Sequence, residues 1–499
     1  MATTIPLALG SYVSQDPRAS SKRLIGCFSE LLDQDTTADV KGQQPPATLR
    51  RMPGIRDIPG FNDGSGLPVR GFWEMNGIEY VVIGPNLYSV QMSPITQVAL
   101  MSAPLNNTPI TGFQFVRMTD NGACMVILEP GTVNCWTYTP LSGTTWNTLD
   151  AQPFFQALGA IDCWFVDTYI VFLALNGTTF FNDDGRQISG NNQITFTTAA
   201  SFTREFGTDL FVGGTVDHRE VMVFGRRTSE GYLNVGNPTG TPFSSAPDTF
   251  MQIGAHPLCP YAIALQDQSI FWVGNDLTVR RRNGQTPIRV SNSGIENLLQ
   301  TTNLTGCYAL TPTVYGHPMW ILVMPQGAQT IAYDCLTQKW FNLTSSGATA
   351  FYRPQAYHNG LGVQLMGDGQ SSQVGVLDAT VGTEFGATQI VEITTQPVYD
   401  KDNRIQHRRL ELITTMGGGS NQTVAPTASL YVSDNSGKTY EEWSDPQTLG
   451  TQGEDEGTGQ RAVWWQLGQS RNRVYKFRIT DATPLFTVDI QATLDGGRY

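Results

Sequence analysis

Charged side chains are scarce: Asp, Glu, Lys and Arg make up 15% of the 499 residues, against roughly 25% in an ordinary soluble domain. Long solvent-facing helices and coiled coils are built from Glu, Lys and Arg, so this shortage excludes them as the main architecture. Long apolar runs are missing too. No stretch nears the roughly 18–20 residues of a bilayer-crossing helix, and Met1–Gly10 lacks the basic start and apolar stretch of a secretory leader. A cytosol-made chain with no stable membrane insertion is expected. Paired cysteines are also lacking. Cys27, Cys124, Cys135, Cys163, Cys259, Cys307 and Cys335 form no C-x-x-C pair and are odd in number, which fits buried free thiols better than disulfides. Without a secretory context, Asn-x-Thr triplets such as those at Asn176 and Asn342 are chance matches. Excess positive charge is absent: 31 Lys and Arg against 43 Asp and Glu leave a net −12. That argues against gripping phosphates, but not against an anionic wall along which a duplex slides.

What the chain has is β-forming sequence. Tyr80–Gly84, Leu87–Val90, Tyr169–Leu173 and Val221–Gly225 are short runs of β-branched and aromatic residues bounded by Gly, Asn, Asp and Pro. Segments of this grammar begin near Val69, Gly112, Leu158, Val212, Tyr261, Tyr308 and Ala350. A spacing of roughly 40–50 residues with several strands per period is that of β-propeller blades. Seven blades is the count, with six or eight open. Unrelated sandwiches with similar turn spacing are the competing architecture. Asn76-Gly77 and Asn283-Gly284 suit tight hairpins. One short helix is expected at Ser293–Gln300, where Ser293 and Glu296 have capping-box spacing.

Two flanks differ from the array. Residues 1–60, with Gln43–Pro46, Met52–Gly54 and Ile58–Gly60, show weak periodicity and read as a tail, or an N-terminal arm packed on another surface. Residues 391–499 hold alternating strands at Arg408–Ile413, Ser429–Ser433, Ala462–Leu467, Val474–Ile479 and Phe486–Ile490, as a β-sandwich does. Gly450–Gly459 looks like a mobile acidic loop. The expected chain is all-β: arm 1–60, propeller 61–390, sandwich-like domain 391–499.

Candidate chemistry is thin. Ser433-Asp-Asn-Ser-Gly-Lys-Thr-Tyr440 resembles the Asp-box turn of sialidases, with Asn435 and Tyr440 departing from it, and that box is a structural hairpin. A tyrosine nucleophile beside a carboxylate and an arginine cluster cannot be assembled by spacing. Asp217-His218-Arg219-Glu220 could bind metal or shuttle protons, or be a polar turn before Val221. His256, His317, His358 and His407 show no ligand spacing. Asn182-Asp-Asp-Gly185 lacks the calcium-loop length and reads as a turn. Arg280–Arg282 and Arg226-Arg227 suit blade-edge ion pairs or subunit contacts better than DNA contact. No P-loop, nucleophile elbow or His-Glu-x-x-His occurs. No catalytic, metal or cofactor-binding residue is assigned, and no enzyme activity is expected.

Four stretches, in order, carry a likeness: Leu49-Arg-Arg-Met-Pro-Gly-Ile55, Asp217-His-Arg-Glu-Val-Met-Val-Phe-Gly225, Arg289-Val-Ser-Asn-Ser-Gly-Ile-Glu-Asn-Leu-Leu299 and Arg473-Val-Tyr-Lys-Phe-Arg-Ile-Thr480. The chain resembles the tail hub (nozzle) proteins of short-tailed phages, the packaged-DNA stabilisation family of P22-like viruses. That resemblance implies a structural virion protein in the phage tail, a homo-hexamer below the portal and its head-to-tail adaptor ring. It would close or line the DNA exit channel, retain packaged DNA until ejection, and dock a tail needle or fibre and tailspike proteins. DNA would pass without sequence preference. The resemblance assigns no interface or channel residue. The alternative from another class is a glycan-binding or sialidase-like β-propeller; a third is a propeller scaffold of a cell.

Overall fold

The computed structural model describes residues 2–5, 10–31, 47–59, 61–92, 95–101, 115–140, 145–149, 152–185, 194–197, 200–204, 207–237, 240–345, 351–360, 362–400, 403–414, 425–450, 462–481 and 486–496. Strands dominate. Seven sheets each open on one innermost strand: Val69–Met75, Arg117–Asp120, Asp162–Val166, Phe211–Asp217, Ala264–Gln266, Tyr308–Leu310 and Pro354–Gly360. Each starts within about five residues of the spacing read from the sequence; Gly112 and Ala350 themselves lie outside the described residues. The innermost strand of the seventh blade packs on that of the first, so the ring closes.

The second strand of a blade is covered on both faces by neighbouring blades, which explains its unbroken apolar sequence. Met125–Leu128 and Ser269–Val273 are buried at every position. Tight turns join the blade's first two strands. Asn76 and Gly77 both take positive φ, 54° and 76°, giving the twist that a two-residue hairpin requires.

The seventh blade is completed from the far end of the chain. Val374–Asp378 pairs antiparallel with Gly54–Asp57, which supplies the outer strand. Residues before Gly54 serve the C-terminal sandwich. One of its sheets aligns Cys27–Leu31, Ala47–Arg51, Phe486–Gly496, Ile405–Thr414 and Ala462–Trp465, and Ala2–Ile5 also pairs with Phe486–Gly496. The other runs Ser21–Ile25, Val391–Thr394, Asn472–Ile479, Thr427–Ser433 and Glu441–Glu442. Ser21–Ile25 also joins the outer strand of blade six at Ile25 and Asn342. One core therefore runs from the sandwich, with Leu24, Leu410, Leu430 and Phe477, into blade six, with Met319, Ile321 and Phe341. Cys27–Leu31 pairs with Ala47–Arg51 nearby. The other strand partners of Ala2–Ile5, Ser21–Ile25, Ala47–Arg51 and Gly54–Asp57 lie hundreds of residues away, so the first 60 residues show little period of their own. Gln43–Pro46 and Gly60 fall outside the described residues, as does most of Gly450–Gly459.

Among the described residues, two α-helices interrupt the array. Pro153–Leu158, before blade three, is not among the elements expected from the sequence; it has no side-chain N-cap but starts on proline, ends at Gly159 and buries Phe155. Ser293–Thr301 is where the sequence places it, but its cap differs. Asn292, not Ser293, is the N-cap, accepting from the Ile295 amide at 3.0 Å. Glu296 turns instead to Ser291 and Arg289. No helix among the described residues is long and apolar enough to cross a membrane.

Candidate functional site

The seven innermost strands surround one cavity of about 900 Å³ on the propeller axis. Its floor is aromatic. Phe115 leads into blade two and Tyr261 into blade five, positions on opposite sides of a seven-membered ring, yet their rings meet edge-on at 4.4 Å. Tyr308 of blade six lies 6.4 Å from Phe115, and all three are buried. The Arg117 guanidinium sits 5.2 Å over Tyr261 and 3.3 Å from Asp162. Burial pushes the Asp162 carboxyl up to about 6, against the pull of Arg117. The other end is open, rimmed by exposed Phe165 and Leu265. The cavity is thus a blind cup. A duplex, whose major groove alone is about 12 Å wide, has no path through that floor.

Polar contacts cross every seam of the ring. Trp73 donates to Asp120 at 2.7 Å between blades one and two, and Arg117 meets Asp162 between two and three. Arg219 pairs with Asp167 at 2.7 Å between three and four; Arg282 pairs with Glu220 at 2.8 Å between four and five. Gln266 donates to the Pro312 and Met319 carbonyls, Gln364 to that of Thr313, and His358 meets Glu79 at 2.9 Å to close the circle. Several join partly buried groups, where solvent screens less than at a free surface.

Several residues singled out from the sequence fall in these seams. Asp217–Glu220 is a hairpin turn with His218 and Arg219 at positive φ, and Glu220 and Arg219 reach neighbouring blades. Arg280 and Arg281 pair within blade five with Asp276 and Asp267, so only Arg282 of that run crosses a seam. Arg226 and Arg227 are exposed. Asp183 is buried, accepts the Ile170 amide at 2.8 Å, and is pushed up to about 7 by burial. In the Asp-box-like turn, Asn435 accepts from the Lys438 and Thr439 amides, and Gly437 takes φ 83°. Its neighbour Asp434 forks onto Arg473 through two 2.7 Å bonds. Among the described residues no cluster of three or more His, Cys, Asp or Glu side chains could hold a metal ion. His317 pairs with Asp334 at 2.8 Å. His407 lies between Ser470 and Tyr475, and burial holds it down near 4. All seven cysteines are buried and free of disulfides.

Leu49–Ile55 holds a clamp that the sequence did not reveal. Arg51, 3% exposed, donates to the carbonyls of Gly382 at 2.9 Å, Gln389 at 2.6 Å and Asp481 at 2.6 Å. It joins blade seven to the sandwich. A Cβ on Gly54 would come 2.5 Å from the carbonyl oxygens of both Val381 and Thr383, which accounts for glycine there. The residue types hinted at this; the partners, over 300 positions away, could not be read locally.

These features define a class: a seven-bladed β-propeller sharing one core with a C-terminal β-sandwich. A family model described as bacteriophage P22 Gp10, beta-propeller, matches residues 36–382, and one described as bacteriophage P22 Gp10, beta-sandwich, matches residues 390–495. The chain belongs to this bacteriophage P22 Gp10 family, a family of structural phage tail proteins. No curated protein sequence matches it. Among solved structures it is similar to the computationally designed Ika8 protein, at 11% identity and TM-score 0.35, covering 65% of this chain and 99% of that one. A streptogramin B lyase structure gives 11% identity and TM-score 0.39 over 64% and 95% of the two chains. A chain of the mitotic checkpoint complex gives 10% and 0.37 over 70% and 97%.

Proposed function

We propose that this protein is the tail hub (nozzle) of a short-tailed phage, six copies forming a ring below the portal and adaptor that holds packaged DNA until ejection. The observation that carries the reading is the match of both halves of the P22 Gp10 family, in order, along nearly the whole chain. The blind propeller axis supports one detail. With no route through a single propeller, the DNA path runs between copies, along walls of a net-negative protein. Cyclic rings grow from one repeated heterologous contact, and the low charge suits large interfaces depleted of Lys and Glu. Contacts with a needle, fibres or tailspikes belong to the same proposal.

The test is to mix the purified full-length protein with its portal–adaptor complex and image the particles. A six-fold ring on the adaptor is expected, with density for the propellers around an open centre. A solitary molecule that ignores the adaptor, or measurable glycoside hydrolysis, would overturn the reading.

A further inference from the structure

Two cysteines lie on neighbouring segments at the approach to blades five and six. Tyr261 and Tyr308 form a parallel bridge, and the Ala309 amide donates to the Tyr261 carbonyl at 2.9 Å. This holds the segments carrying Cys259 and Cys307 side by side. The Cys307 sulfur lies 3.4 Å from the Leu258 carbonyl oxygen, beside the peptide that enters Cys259. On the other side of that peptide, His256 Nδ1 stands 3.8 Å from the Cys259 sulfur. Both thiols are buried, but the cover is thin: His256 is half-buried, and Pro257 and Leu258 are exposed.

The two sulfurs differ chemically. The adjoining Cys307 thiol, then His256, draw Cys259 below the ordinary thiol range against its burial, while burial drives Cys307 well up. Burial also raises Cys27, Cys124, Cys163 and Cys335. Nucleophilic attack belongs to the thiolate, so Cys259 is set apart.

We propose that Cys259 and Cys307 form a site of oxidation by hydrogen peroxide, with Cys259 as the attacking sulfur and Cys307 as the resolving one. The Cys259 thiolate attacks one peroxide oxygen, the O–O bond breaks, and hydroxide leaves and takes up the thiol proton as water. Cys259 is now a sulfenic acid. The Cys307 sulfur then attacks the Cys259 sulfur; the S–O bond breaks and a second water leaves with the Cys307 proton. Two thiols and one peroxide become one disulfide and two waters. With their segments held side by side, side-chain rotation brings the two sulfurs towards the bonded distance of about 2.05 Å. The bond would tie the approach of blade five to that of blade six, and closing so long a loop raises stability. A virion part that leaves a reducing cytosol would meet such an oxidant. The chemistry itself needs only the single chain, whatever ring it enters.

The test treats the reduced, full-length protein with hydrogen peroxide at neutral pH, then alkylates and digests it. The expected result is a peptide pair linked through Cys259 and Cys307, with the other five cysteines alkylated, and a higher unfolding midpoint. Cys307→Ser keeps a hydroxyl donor beside Cys259, so the sulfenic acid should accumulate there and be trapped by dimedone. A wild-type digest in which Cys259 remains as alkylatable as the other cysteines overturns the proposal, and that arm needs no variant to fold.

Discussion

Replacing Arg51 with alanine removes a guanidinium that three chain segments share. It donates to the carbonyls of Gly382, Gln389 and Asp481 and, at 3.3 Å, to the Gln389 side chain. Each buried acceptor left without a donor costs about 1–3 kcal/mol, so three carbonyls bound the gross loss at about 3–9 kcal/mol. Water entering the vacated space recovers part of that, and losing a cation beside buried Glu384, which Arg51 helps to keep charged, adds to it. A net loss of about 3–5 kcal/mol is expected, the range for breaking a buried charge pair. Urea unfolding of the full chain, followed by tryptophan fluorescence, reads this as a lower midpoint, compared between variants because a two-domain chain need not unfold in one step. Arg51→Lys should fall between, since a single ammonium cannot span three carbonyls in a fixed fork. A loss below about 1 kcal/mol for the alanine variant would refute the clamp, because even one orphaned buried carbonyl costs that much.

Two buried groups should give opposite pH dependences. Asp183 is raised from 3.8 to about 7, so between those values the native state holds a proton that the unfolded chain has lost. Its contribution is full below pH 3.8 and disappears as pH rises to 7. Asp183→Asn should flatten that fall in thermal midpoint; an unchanged slope would count against the assignment. His407 is lowered from 6.5 to about 4, so its contribution is present above pH 6.5 and is lost as pH falls to 4. His407→Gln should make the unfolding midpoint less sensitive to acid across that window, measured by calorimetry. A steeper acid response would contradict it.

The ring of blades was legible because blades one to six are local units and the seventh borrows only its outer strand. In the first six, strands and turns lie within about 45 residues, and Asn76-Gly77 or Asn283-Gly284 marks a hairpin whatever surrounds it. The sandwich strands were legible for the same reason, through alternation in Arg408–Ile413 and Val474–Ile479. What sequence could not supply is pairing across the chain. Gly54–Asp57 is too short to show a period, and nothing near it names Val374–Asp378 as its partner. The floor of the cup was equally hidden, since Phe115 and Tyr261 meet only after five blades have curved round. The helix cap was missed by one residue because Ser293 and Glu296 have the right spacing, while Asn292 has the better-placed oxygen.

The outer strand of the seventh blade also bears on how the molecule comes into being. Synthesis runs from the amino end at about 5–20 residues per second, so Gly54–Asp57 leaves the ribosome long before Val374–Asp378 exists to receive it. Ala47–Arg51, already able to pair with Cys27–Leu31, waits longer still for Phe486–Gly496. Blades one to six can form as they emerge, but the circle cannot shut and the second domain cannot form until translation is nearly done. A polypeptide truncated by a premature stop or by proteolysis would carry an unsealed ring, and only the finished product would offer a docking face.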